Sequence, residues 1–138
     1  MKRLRELWQR VCGADYKVFE MVSASTAAFV WGFLLILPTH TFASTTAYRA
    51  MLSTWPHSEE AWGVVGMGLG LFQSFAVAAQ WRQGRLWALS AAVVLWSFIA
   101  AMFSIGNPAG IGWPTYALFA VFSFLARHSL LRQLWTGK

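Results

Sequence analysis

The chain has 138 residues, of which 57% are hydrophobic and only 12% charged, with nine tryptophans, eleven phenylalanines and a net charge of +6. A soluble domain ordinarily carries about 25% charged residues, so this chain lacks the polar side chains to cover an aqueous surface, and its mean hydropathy of +0.48 equally excludes a disordered one. The single cysteine excludes an internal disulfide scaffold, and the composition points to an all-α polytopic membrane protein forming one domain over residues 1–138.

The first seventeen residues place Leu4, Leu7, Trp8 and Val11 at helical spacing among Lys2, Arg3, Glu6 and Arg10. Such a basic amphipathic helix lies in the headgroup plane with its apolar stripe down. Asp15 is placed to cap a helix starting at Tyr16. A run without Lys, Arg, Asp or Glu extends from Met21 to Leu37, and with Val18 and Phe19 it makes a first span over about 18–37, closed by Pro38. A secretory leader would fit the apolar run and the Thr41-Phe42-Ala43 step, but Trp31 and the bulky stretch from Phe33 to Leu37 favour a retained span. Ala24, Ala28 and Gly32 form a small-residue stripe along it. Glu20, three residues after Lys17, is expected at the entry of the span, where a carboxylate reaches headgroup water and favours a helix N-terminus; a functional intramembrane carboxylate is the alternative.

The loop from Pro38 to Glu60 contains Tyr48, Met51, Leu52 and Trp55 at i, i+3, i+4, i+7, which predicts a short helix resting on the outer leaflet or folding over the bundle as a lid. Ser58, Glu59 and Glu60 then supply the start of a second span at about 61–79. Along it Gly66, Gly70, Ser74 and Ala78 recur every four residues, with Gly63 one turn before. Small residues on one face allow close approach of two helices, either within the bundle or between copies. The stripe on span one is its natural partner. Gln73 is the most polar deep residue here.

Gly84 is expected to break the second span from a third at about 86–104, where Ser90, Ser97 and Ser104 stand seven residues apart with Val94 and Ala101 between them. Gln73, these serines and Glu20 are the candidates for a polar path, and helix packing is the simpler role for the serines. Gly106-Asn107-Pro108-Ala109-Gly110 predicts a tight turn, and Pro114 suits the first turn of a fourth span at about 111–126. The tail, 127–138, sets Leu130, Leu131, Leu134 and Trp135 against Arg127 and Arg132.

Ten of the eleven basic residues fall before span one, between spans two and three, or after span four, and Arg49 alone falls on the other side. The charge bias therefore predicts that the N- and C-termini are both cytoplasmic. Trp8, Trp55, Trp62, Trp81, Trp87, Trp113 and Trp135 stand near span ends and read as interfacial anchors, whereas Trp31 and Trp96 lie deeper. The basic balance fits attraction to anionic lipid, and no nucleic-acid partner is expected. His40, His57 and His128 have no metal-site spacing, and no nucleophile-elbow motif, phosphate loop or paired-carboxylate arrangement occurs, so neither enzyme activity nor a cofactor is expected. Cys12 reads as an inert thiol, or in a eukaryote a palmitoylation site.

The four spans, the Trp62-Gly63 opening of a glycine-rich second helix, Arg85 before an Ala/Leu-rich third, the Asn107-Pro108 turn and Tyr116 together resemble small membrane proteins of tailed phages and prophages. This resemblance implies a bacterial inner-membrane location and a role in the phage cycle, with holin-like permeabilisation, superinfection exclusion or assembly support as candidates. The sequence thus supports a non-enzymatic membrane protein acting through helix packing, self-association as a homo-oligomer, or contact with a membrane-protein partner. The competing readings are a structural subunit of a larger complex and a small proton-coupled multidrug transporter, whose first helix also carries a glutamate, as Glu20 does here.

Overall fold

The computed structural model describes residues 16–31 and 58–136, together with the isolated positions 6 and 49. The predicted amphipathic helix at the start of the chain, the outer-loop helix, Trp8, Trp55, Gly32 and the end of the first span lie outside the described residues. All the described elements are helical. Helix α1 spans Lys17–Ser25 and continues as a π-helical stretch, Thr26–Trp31; α2 spans Ser58–Ala78, α3 Arg82–Gly106 and α4 Gly112–Thr136. Two of them, over Glu59–Ala78 and Arg82–Gly106, are long and apolar enough to cross a membrane. In the most apolar stretch of each, only 33% and 28% respectively is buried within the molecule. The helices are thus far more apolar than their mutual packing requires.

Helices α3 and α4 make the most extensive contact. Trp96, Leu89, Ile99, Ala88 and Ala92 of α3 are fully buried. Trp96 stacks on Tyr116 (centroids 5.7 Å apart) and leans on Phe119 (5.2 Å). Phe119 also meets Phe19 of α1 at 5.9 Å, so one aromatic layer ties three helices together.

Helix α4 runs without interruption to Thr136, so the fourth apolar segment and the first ten residues of the tail form one element. Its opening Gly112-Trp113-Pro114-Thr115-Tyr116 and the later Arg127, His128 and Arg132 make it more polar than α2 and α3.

The break between α2 and α3 falls at Gln80-Trp81 and not at Gly84. Trp81 donates its backbone N–H to the Ala76 carbonyl at 2.9 Å, and Gln80 to that of Val77 at 3.1 Å. This pair of bonds, closing a helix with a left-handed residue, is the Schellman arrangement. Gln80 takes the left-handed position with φ 53°, where glycine is the usual occupant. The Trp81 ring folds back edge-on to Phe72, 6.0 Å away, and also fills the space that a side chain at Gly84 would need. Gly84 thus sits inside the first turn of α3 as a seat for Trp81. At the other end, the α3–α4 turn closes through Asn107 to the Phe103 carbonyl at 2.8 Å and Gly110 to the Asn107 carbonyl at 3.0 Å, and the Trp113 indole donates to the Pro108 carbonyl at 3.1 Å.

The small-residue face of α2 packs within the molecule. A Cβ added to Gly70 would lie 2.5 Å from the Ala24 carbonyl oxygen, 2.7 Å from the Ala28 nitrogen and 2.9 Å from the Ala28 Cβ. Backbone there lies directly against backbone. Gly63 and Gly66 are buried on the same face, Ser74 is half-buried and Ala78 is exposed. Gly68, on the opposite side, has nothing within 4 Å of its hypothetical Cβ.

Two consequences can be measured by thermal unfolding in detergent. Gly70→Ala forces α1 and α2 apart and should cost about 1–3 kcal/mol, the scale of overpacking a tight contact, whereas Gly68→Ala should be tolerated; equal tolerance would contradict the close approach. Gln80→Gly should raise stability by up to about 1 kcal/mol by relieving the left-handed residue, and a loss would contradict the cap.

Candidate functional site

The first turn of α1 and the first turn of α3 lie beside each other at one end of the bundle. Glu20 is in the former and Arg85 in the latter. Arg85 Nε donates to Glu20 Oε2 at 2.9 Å, and Nη2 to Oε1 at 2.5 Å. This two-pronged geometry matches the flat guanidinium to the flat carboxylate and is the strongest form of the contact. The carboxylate is 1% exposed and the guanidinium side chain 10%. Glu20 therefore does not stand in open headgroup water, and Arg85, which on the sequence counts as a loop charge, belongs to the interior.

A burial this complete is costly for either ion alone and tolerable only for the pair. Tyr16, Ala126, Ser129, Leu130 and Gln133 close over the two charges and leave a cavity of about 10 Å³, near the least that one water molecule occupies. Among the described residues, that gap is too small to admit a substrate to Glu20. One turn along α1, Ser23 accepts a hydrogen bond from the buried Trp96 indole at 3.0 Å. An ion pair and a neutral hydrogen bond thus fasten α1 to α3 on successive turns.

The other polar candidates do not join this pair in a continuous path. Gln73 is fully buried, and neither its amide oxygen nor its nitrogen has a hydrogen-bond partner; the Ser123 hydroxyl is in the same condition. The serines of α3 turn the other way. Ser97 is exposed, and Ser90 and Ser104 bond back to the carbonyls of Leu86 and Ala101, each at 2.8 Å. Back-bonding of this kind satisfies a hydroxyl within its own helix.

The tryptophans divide in two groups. Trp81, Trp87, Trp113 and Trp135 are exposed, between 37% and 87%. Trp62 is buried and stacks on Phe98, with centroids 5.1 Å apart and planes 15° from parallel. It precedes Gly66 by one turn and shares its inward face, so it belongs to the α2–α3 contact.

Arg85 is the residue of this site that the sequence pattern leaves out. Its signal was present, because a basic residue four positions after Trp81 lies within α3 once the turn is placed at Gln80.

Removing one partner should expose the dependence. Glu20→Leu or Arg85→Met alone leaves a buried, uncompensated charge and should destabilise the protein by about 3–5 kcal/mol, while the two together should recover most of that loss. Independent, additive effects in this double-mutant cycle would rule out the pair as a coupled unit.

Comparison with known proteins finds no matching family model, no similar curated protein and no similar solved structure.

Proposed function

We propose that the chain is an integral membrane protein of four spans, with both termini in the cytoplasm, that acts through lateral contacts in the bilayer and not through catalysis or transport. The observation that carries this reading is the state of Glu20. A proton-coupled transporter needs a carboxylate that exchanges protons with water and meets substrate, and intramembrane carboxylates are the usual place to look for one. Here the Glu20 carboxylate is 1% exposed and clamped by Arg85. Its chemistry is spent on holding α1 to α3.

The outer surface supports the same reading. Val64, Leu71 and Phe75 on α2, Val94 and Ile105 on α3, and Leu118 on α4 are each more than half exposed. A soluble protein rarely presents apolar side chains on every flank, whereas lipid or a partner helix accepts them. Because Gly70 already packs on Ala24 and Ala28, a lateral partner or second copy would meet the larger apolar residues outside this stripe. In a phage setting the contact reading extends to holin-like assembly or assembly support.

The protein should stay with the membrane pellet after alkaline carbonate extraction, and reporters fused after Lys138 and within residues 40–57 should report opposite sides. An externally active reporter at the C-terminus would overturn the topology. The charge-balanced replacement Glu20→Leu with Arg85→Met, which keeps the fold, should leave any drug-resistance phenotype unchanged. If that folded double variant abolishes a proton-coupled resistance, the transporter reading takes its place. Inducible expression followed by a delayed, abrupt collapse of membrane potential would single out the holin-like form of the contact reading.

A further inference from the structure

Two arginines enter the bundle near the same end, and among the described residues only one of them meets a carboxylate. Arg85 has Glu20. Arg127, on α4, is half-buried, and its Nε donates to the Ser90 hydroxyl at 2.8 Å. Ser90 itself donates to the Leu86 carbonyl at 2.8 Å, so its hydrogen is committed and its lone pair serves the guanidinium. The serine aligns the arginine without balancing its charge. No carboxylate among the described residues forms an ion pair with Arg127.

Ala126 and Ser129 line the small cavity over Glu20 and Arg85, which sets Arg127 at the same level on the other flank of α4, in the seam with α3. Along that seam the surface is apolar. Trp87, three residues before Ser90, is 65% exposed; Val94, four after it, is 70% exposed; and Phe124, three before Arg127, is 50% exposed. Since α3 and α4 run antiparallel, Trp87 lies toward the end of the bundle, and Val94 and Phe124 lie toward its middle.

We infer that Arg127, oriented by Ser90, binds the phosphate of an anionic membrane lipid whose acyl chain lies over Val94 and Phe124. The inference rests on the membrane reading above. A phosphate matches a preset guanidinium through paired, charge-assisted hydrogen bonds, and basic pockets between helices on the cytoplasmic side are where anionic headgroups are held. Trp87 stands where an indole favours the headgroup layer. A free phosphate ion would use the guanidinium and gain nothing from the apolar strip, which favours the lipid.

The test uses the full chain purified in neutral detergent, with thermal unfolding followed as phosphatidylglycerol, phosphatidylcholine or inorganic phosphate is added. Phosphatidylglycerol should raise the unfolding midpoint, and the other two should not. Arg127→Gln should weaken the apparent affinity for phosphatidylglycerol about tenfold or more, the scale of losing a charge-assisted hydrogen bond; Arg127→Lys and Ser90→Ala should weaken it less. Arg82→Gln, which removes an exposed arginine at the start of α3, should leave the affinity near that of the unaltered chain. Equal stabilisation by the two lipids would overturn the site, as would an Arg82→Gln loss matching that of Arg127→Gln. An equal shift with inorganic phosphate would replace the lipid by a soluble anion. Should Arg127→Gln fail to fold, the lipid comparison on the unaltered chain and the Ser90→Ala variant still decide the matter. Carbonate extraction is indifferent to all of these outcomes, so failure of the lipid site leaves the membrane reading standing.

Discussion

Two opposite charges that cannot face apolar surroundings singly set the geometry of this protein. Glu20 and Arg85 come together in a two-pronged contact with almost no exposure, and they do so from the first turns of two helices far apart in sequence. The pair fixes the axial register of α1 against α3. The Trp96 indole on Ser23 repeats the constraint one turn further along α1, and the aromatic layer of Trp96, Phe119 and Phe19 fills the space between. On α2, Gly70 admits the α1 backbone so closely that the lateral distance between the two helices has no slack. Register is thus set by polar contacts and separation by a missing side chain.

This division of labour follows from the composition. In the proposed bilayer setting, with apolar surroundings both inside and outside, burial of hydrophobic side chains discriminates weakly between right and wrong packings, since lipid tails are as apolar as leucine. Specificity must then come from features that an apolar exterior cannot imitate: a matched ion pair, an indole that needs an acceptor, a glycine at a backbone crossing. Gln73 and Ser123 are the exceptions. They are buried without partners, and in an apolar setting such groups mark positions where the bundle carries polarity that its own packing does not require.

Much of the helical plan was legible because it is written locally. The apolar run beginning at Ala61 and the glycine spacing after it define α2, and the meeting of Gly70 with Ala24 and Ala28 follows from matching the two small stripes. The fourth helix ran further than its apolar core because Leu130, Leu131 and Leu134 continue the helical pattern past Arg127, and nothing between them breaks it. What the sequence conceals is pairing at a distance. Glu20 and Arg85 are separated by 65 residues, each has a sufficient local explanation as a helix-end or loop charge, and no spacing rule links them. Trp62 misleads for a related reason. A tryptophan at a helix end suits either a lipid interface or a helix contact, and only its place one turn before Gly66, on the inward stripe, selects the second. Gln80 shows the limit for turns, since a glycine nearby at position 84 offers a more conventional break than the residue that takes the left-handed conformation.

The same long separation matters to the order in which the chain is made. The ribosome releases Glu20 well before Arg85, so a nascent chain that has finished α1 and α2 carries Glu20 before its Arg85 partner exists. The contact that sets the register of α1 against α3 can therefore form only after the first turn of α3 has been made. Translation products that stop within α2 lack both the ion pair and the Trp96–Ser23 hydrogen bond that fasten α1 to α3.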